Sequence, residues 1–285
     1  DWSVSGTAGN LITINSTSTA THNLVKIGGG TVSADYLNIQ HSVASPSSTW
    51  YAGTNSVDNQ SVATAGSGWT FTAAPPVCTA TVTGSWNTGS NWSNCSGAGG
   101  VPAAAENVVI AAGVTITLDV DTPAIGSLAI DGTLDTSASG YQIAARNVSI
   151  NNGGTLTANS SDITLSGTAS ILFALDAGGT FTTGTSTVIM DPDAARTLTY
   201  GTISFNNLTL APTLSAARTY TFGTGAVTVN GDLTSDPNGG GTARALTVNL
   251  GTGGLTVAGA FTLGGNNSGT TILDTTTSNR PLTFS

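Results

Sequence analysis

Leu128-Ala-Ile-Asp-Gly-Thr-Leu-Asp135 and Val148-Ser-Ile-Asn-Asn-Gly-Gly-Thr-Leu-Thr157 decide the fold of this chain. Each stretch alternates apolar and polar residues, breaks at Asp-Gly or Asn-Asn-Gly-Gly, and resumes the alternation at Thr-Leu. Period two with one apolar face predicts strand. The Gly-rich break supplies the positive backbone angles of a tight corner. Working outward, the pattern recurs at drifting intervals. Leu128-Ala-Ile130 returns as Val148-Ser-Ile150 after 20 residues, and Gly153-Gly-Thr-Leu-Thr157 as Gly178-Gly-Thr-Phe-Thr182 after 25. Val227-Thr-Val-Asn-Gly-Asp-Leu-Thr234 returns as Leu255-Thr-Val-Ala-Gly-Ala-Phe-Thr262 after 28. Irregular periods of this size fit a right-handed parallel β-helix, whose corners absorb insertions while its strands keep register. A β-sandwich would be built from antiparallel hairpins and would show no such repeat.

Composition agrees with stacked coils. Only 7% of the 285 residues are charged, against about 25% in an ordinary globular domain. Like charges stacked at each coil would repel one another, whereas Thr, Ser and Asn form neutral ladders. With 39% hydrophobic residues and a mean hydropathy of +0.15, the chain has the material for a sizeable core and is not disordered. Fifteen acidic residues outweigh six basic ones, for a net charge of −9. That balance disfavours nucleic-acid phosphates and anionic membranes as partners. No apolar run approaches the length of a membrane-spanning helix, so no transmembrane segment is expected.

The two cysteines, Cys78 and Cys95, are separated by 17 positions. A local disulfide is the economical reading, and it implies an oxidising, extracellular or cell-surface location. A proline seam at Ala73-Ala-Pro-Pro-Val77 precedes them, and all five Trp lie before residue 93. The chain therefore divides into a closing solenoid segment (1–76), a disulfide-bridged junction (77–99), and a solenoid open at its C-terminal end (100–285).

Gly84-Ser-Trp-Asn-Thr-Gly-Ser-Asn-Trp92, Gly100-Val-Pro102, Asn107-Val-Val-Ile110 and Gly113-Val-Thr-Ile-Thr-Leu-Asp119 resemble the opening turns of right-handed β-helix modules in large secreted bacterial surface proteins. They are also similar to the eight-glycine domain of extracellular proteins. Gly30-Thr-Val-Ser-Ala-Asp-Tyr-Leu-Asn-Ile39 and Gly68-Trp-Thr-Phe-Thr72 resemble a closing turn. These motifs are structural; the resemblance implies an adhesin-like or scaffold role and carries over no catalytic residue. Because a closing turn precedes an opening one, a head-to-tail assembly is expected, with Leu282 and Phe284 of one unit stacking on Trp2 and Val4 of the next.

Candidate chemistry is sparse. The carboxylate pairs Asp119/Asp121, Asp131/Asp135 and Asp191/Asp193 have the types needed for glycoside hydrolysis, yet each sits among turn residues and reads better as a corner cap. Arg196, Arg218 and Arg244 recur near corners rather than at one converging site. His22 and His41 accompany no Gly-x-Ser-x-Gly elbow. No catalytic residue and no enzyme activity are expected. Asp191, Asp193, Asp232 and Asp236 are weak calcium candidates; no other metal or cofactor is expected. Thr-x-Thr segments occur without constant spacing, which argues for general ladder use over an ice-matching face. Trp50, Tyr51, Trp86 and Trp92 are candidate carbohydrate contacts, with capping of the solenoid end as the competing role for the Trp. Structural extracellular solenoid is thus the leading function, and a polysaccharide-binding or polysaccharide-cleaving surface module is the alternative.

Overall fold

A computed structural model of the chain describes residues 4–18, 20–26, 32–45, 50–59, 68–74, 77–167, 171–275 and 281–284. Among these, regular structure consists of short strands and two 3-10 turns, and no helix is long and apolar enough to cross a membrane. Two compact units divide at the proline seam, Asp1–Pro76 and Val77–Ser285. Residues 77–99 do not stand apart as a junction; they belong to the larger unit, and the disulfide lies inside it.

The larger unit is a parallel β-helix with three faces. On the first face, Ile143–Ile150 pairs through its front half with Asp162–Leu165, followed by Thr187–Met190, Asn207–Leu210, Leu233–Ser235 and Phe261–Leu263. The second face runs from Cys78–Ala80 through Val108–Ile110 and Ile125–Ile130 to the back half of Ile143–Ile150, and on to Gly269–Asp274. On the third face a ladder runs from Gly84–Ser85 to Thr180–Thr182, and a separate one from Ile203–Phe205 to Leu282–Phe284. All of these pairings are parallel.

The repeats read from the sequence coincide with the register. Leu128 lies opposite Val148, Thr155 opposite Thr180, and Val227 opposite Leu255. Coil length varies because corners vary, while each strand returns its apolar residues inward. Val108, Leu128, Val148 and Phe173 form one such column, every member at most 1% exposed. Corners demand glycine for two separate reasons. Gly153 has φ of +83°, a conformation costly for any side chain. Gly154 instead packs against the preceding coil, where an added Cβ would lie 2.0 Å from the Ile130 carbonyl oxygen.

Outward, Thr115, Thr133, Thr155 and Thr180 stand in one column on the third face. Thr115-Ile-Thr117, Thr155-Leu-Thr157 and Thr180-Phe-Thr182, unevenly spaced in the sequence, are thus aligned on this face, whereas Thr197-Leu-Thr199 lies on the second face. The neighbouring column, Thr117, Asp135, Thr157 and Thr182, is broken by a carboxylate.

The smaller unit repeats the three-faced plan in miniature. Its parallel ladders are Ile12–Ile14, Leu37–Ile39 and Val57–Asp58; His22–Val25 and Ser42–Ser45; and Val32–Ser33, Trp50–Tyr51 and Trp69–Thr70. Leu37, Ile39, Ala44, Trp50, Ala52 and Trp69 form its core.

Candidate functional site

The aromatic residues expected to meet sugar are largely core residues. Trp86 is 1% exposed and packs edge-to-face on Trp92, with ring centroids 4.8 Å apart. The Trp92 indole N–H donates to the Trp86 carbonyl at 2.8 Å. Trp50 is buried edge-to-face against Trp69 at 5.2 Å and donates to the Ser45 carbonyl. Tyr51, on the same strand, is half-buried. None of the three Trp rings offers an open face, so the carbohydrate platform built on them is corrected to a packing role. Trp86 and Trp92 close the first coil of the larger unit, where Trp92–Ser93 pairs antiparallel with Cys78–Ala80 and ends that edge of the ladder. The Cys78–Cys95 disulfide fastens the cap, with Cα atoms 4.4 Å apart.

The carboxylates serve the corners. Asp119 accepts the Asn87 amide, Asp121 the Gln142 amide, and Asp135 the Ser137 amide, each from 2.8 to 2.9 Å. Asp131 accepts from the Asn151 side chain at 2.6 Å, one coil on. Glu106 binds the Ser96 and Ala103 amides. Burial opposes its charge, but these hydrogen bonds prevail and hold its carboxyl below the ordinary value. These oxygens satisfy backbone donors that irregular corners leave without strand partners.

The calcium candidates are similarly dispersed. Asp193 accepts from Arg218 Nε and from the Ser215 amide on one oxygen, at 2.9 and 3.0 Å. Asp232 accepts the Ala260 amide while its own amide donates to Asn207 Oδ1, linking three coils. Asp236 accepts from the Asn266 side chain. Asp191 has an Oδ1 shut away from solvent with no hydrogen-bond partner, and burial raises its pKa. Among the described residues, the one trio of His, Cys, Asp or Glu ligand atoms within 4.8 Å of one another is Cys78, Cys95 and Glu106, and its sulfurs are spent on the disulfide. The arginines also bind the coil stack. Arg196 donates to the Gly167 carbonyl, and Arg244 to those of Leu214 and Gly239. His41 contacts the Asn15 side chain at 3.0 Å. His22 has a buried Nδ1 with no hydrogen-bond partner.

Two surfaces remain as candidate sites. One is the pair of open coil edges. Along the last coil, Leu263 is 42% and Phe284 58% exposed, although both occupy inward positions. On the first coil of the smaller unit, Ile12 is 40% exposed, while Leu37 opposite it is 0% exposed. Val4 packs on that core; Trp2 lies outside the described residues. The other surface is a recess of about 650 Å³ at the corner between the second and third faces, next to the break in the third-face ladder. Sequence reasoning missed it, since it arises from corners of unequal length.

With the capped first coil and its glycine corners in view, the comparison with known families falls into place. Residues 91–216 match the family model of the G8 domain. G8 domains are characteristic of extracellular proteins. The G8-like stretch, under half of the chain, begins at the buried Asn91 beneath Trp92 and takes in Cys95, the early coils and the recess floor. No curated protein and no solved structure gives a significant match to the chain.

Proposed function

We propose that this chain is a non-catalytic structural module of an extracellular surface, an adhesin-like solenoid that extends head-to-tail with further copies of itself. The observation that carries the reading is the mismatch between position and exposure at the two coil edges. Leu263 and Phe284 point inward like Ser235 and Val257, each 1% exposed one coil earlier, yet nothing covers them among the described residues. Ile12, Ile14 and Leu24 are in the same situation on the first coil of the smaller unit.

Both edges are parallel, three-faced and apolar at their centre, and each carries a row of backbone groups ready to pair with another strand. Both edges carry an apolar-Thr-apolar triplet, Phe261-Thr-Leu263 on one and Ile12-Thr-Ile14 on the other. Joining unlike edges gives a heterologous contact that does not close, which propagates as a filament. The Trp86/Trp92 cap prevents the same growth at the first coil of the larger unit.

Electron microscopy of the untagged chain at neutral pH tests this. Filaments with an axial repeat of one chain, shortened or abolished in Leu263→Lys and Phe284→Asp, are expected. Discrete short particles at all concentrations would overturn self-assembly and assign the covering of these edges to another stretch of polypeptide.

A further inference from the structure

The recess has a simple origin. Between the second and third faces, the coil that carries Tyr200 turns its corner with Gly201 and Thr202 alone, whereas the preceding coil uses four residues, from Asp176 to Gly179, and the following coil uses five. The short corner forms a floor between two taller walls. Asp176 and Gly179 stand on one side, Thr224 on the other, and Tyr200, Gly201 and Thr202 lie between. The third-face ladder is interrupted at the same place, since Thr180–Thr182 ends one sheet and Ile203–Phe205 begins another. Strand-edge backbone groups that are paired elsewhere on this face therefore lie next to the recess.

Its lining narrows the chemistry of an occupant. Among the described residues no basic side chain lines it, and the carboxylate of Asp176 would repel an anion, which removes phosphate, sulfate and uronate ligands. Glycine and threonine dominate the walls, which leaves too little apolar surface for a lipid. What is present is one aromatic ring, one carboxylate acceptor, threonine hydroxyls and exposed glycine backbone. A pyranose asks for this combination: its C–H face packs on an aromatic ring, and its hydroxyls donate to a carboxylate and exchange hydrogen bonds with hydroxyls and amides. The Tyr200 ring is half-buried and so already held in place. Asp176 differs from Asp119, Asp121, Asp131 and Asp135, each of which accepts a hydrogen bond from the protein. Asn151 spends its amide on Asp131, and no protein donor among the described residues reaches the Asp176 side chain.

We propose that this recess binds a neutral pyranose unit of a polysaccharide, with Tyr200 as the stacking ring and Asp176 as the hydroxyl acceptor. The site lies on the flank of the coil stack and is independent of the head-to-tail reading.

The test is an array of neutral oligosaccharides (glucans, mannans, galactans and xylans) with oligogalacturonate as the acidic control, probed with the full chain. Saturable binding to at least one neutral series is expected, weakened about tenfold in Tyr200→Ala and also reduced in Asp176→Asn. Because Tyr200 is half-buried, the exposed Thr202→Trp variant serves as a second probe that fills the recess and leaves the core untouched. It should abolish binding while far-UV circular dichroism stays unchanged. Absence of binding to every neutral series, binding to oligogalacturonate alone, or binding indifferent to Thr202→Trp would each overturn the assignment.

Discussion

Asp193 receives the Arg218 guanidinium at 2.9 Å from the next coil and forms an ion pair with it. In a solenoid that avoids charge, it clamps two successive corners. The Arg218 guanidinium holds the Asp193 carboxyl down to about 2, from an ordinary 3.8, with the Ser215 amide assisting. A depressed folded value contributes stability that is fully present above pH 4 and is lost as pH falls from there through about 2. Both side chains are partly exposed, 26% for Arg218 and 33% for Asp193, so screening leaves about 0.5–1 kcal/mol. Asp193→Asn should therefore lower the melting temperature at pH 7, and the gap from wild type should close between pH 4 and pH 2 in paired melting curves.

Two residues earlier the sign reverses. Asp191 has its Oδ1 buried without a partner, and burial raises its pKa. A raised carboxyl favours the folded state below its unfolded value, and that contribution is lost as pH rises through the folded value. At neutral pH the ionised group is a liability. Asp191→Asn is expected to raise the melting temperature at pH 7, with the gain disappearing in acid below pH 4. A stabilisation that persists unchanged at pH 3 would show that charge is not its source.

The coil register was legible because it depends on alternation alone. Leu128 and Val148 announce themselves as equivalents by their flanking Ser, Ala and Ile, whatever happens in the corners. The seam at residues 73–77 was legible for a similar local reason, the paired prolines. What could not be read is anything set by corner length. Thr115 and Thr133 are 18 residues apart but neighbours in space, so their shared place in a Thr column was not evident. The recess at Tyr200 exists because two corner residues replace four, a difference with no local signature. Trp50 and Trp86 were ambiguous for another reason. A Trp beside glycine serves equally as a sugar platform or a core cap, and only burial separates the roles.

The cap itself yields a prediction. Trp86 is among the largest fully buried side chains, and its ring is the edge-to-face partner of Trp92. Trp86→Ala should cost about 3–5 kcal/mol in denaturant unfolding. The disulfide joins cysteines at a sequence separation of 17, so reduction should cost about 3 kcal/mol. The two changes act on the same cap, so their combined effect is expected to fall short of their sum. Strict additivity would mean that the disulfide and the Trp pair stabilise separate regions.

Gly153 and Gly154 adjoin in the chain and differ in what a methyl group would meet. At Gly153 the backbone is left-handed with φ of +83°, and an added Cβ has nothing within 4 Å. Gly153→Ala should thus cost only the conformational penalty, about 1 kcal/mol. At Gly154 the backbone does not demand glycine, but the Cβ would be driven into the Ile130 carbonyl of the coil below. Ile130 belongs to the central parallel ladder and pairs with Ile150, so the clash cannot be relieved by a rotamer change. The coils must separate locally, and the hydrogen bond from the Asn151 amide to the Ile130 carbonyl, 3.0 Å long, would stretch. Gly154→Ala should cost more than Gly153→Ala in unfolding free energy and should speed hydrogen exchange at the Asn151 amide. Equal costs at the two positions would mean that the corner is mobile enough to absorb a methyl group, contrary to the close coil stacking described above.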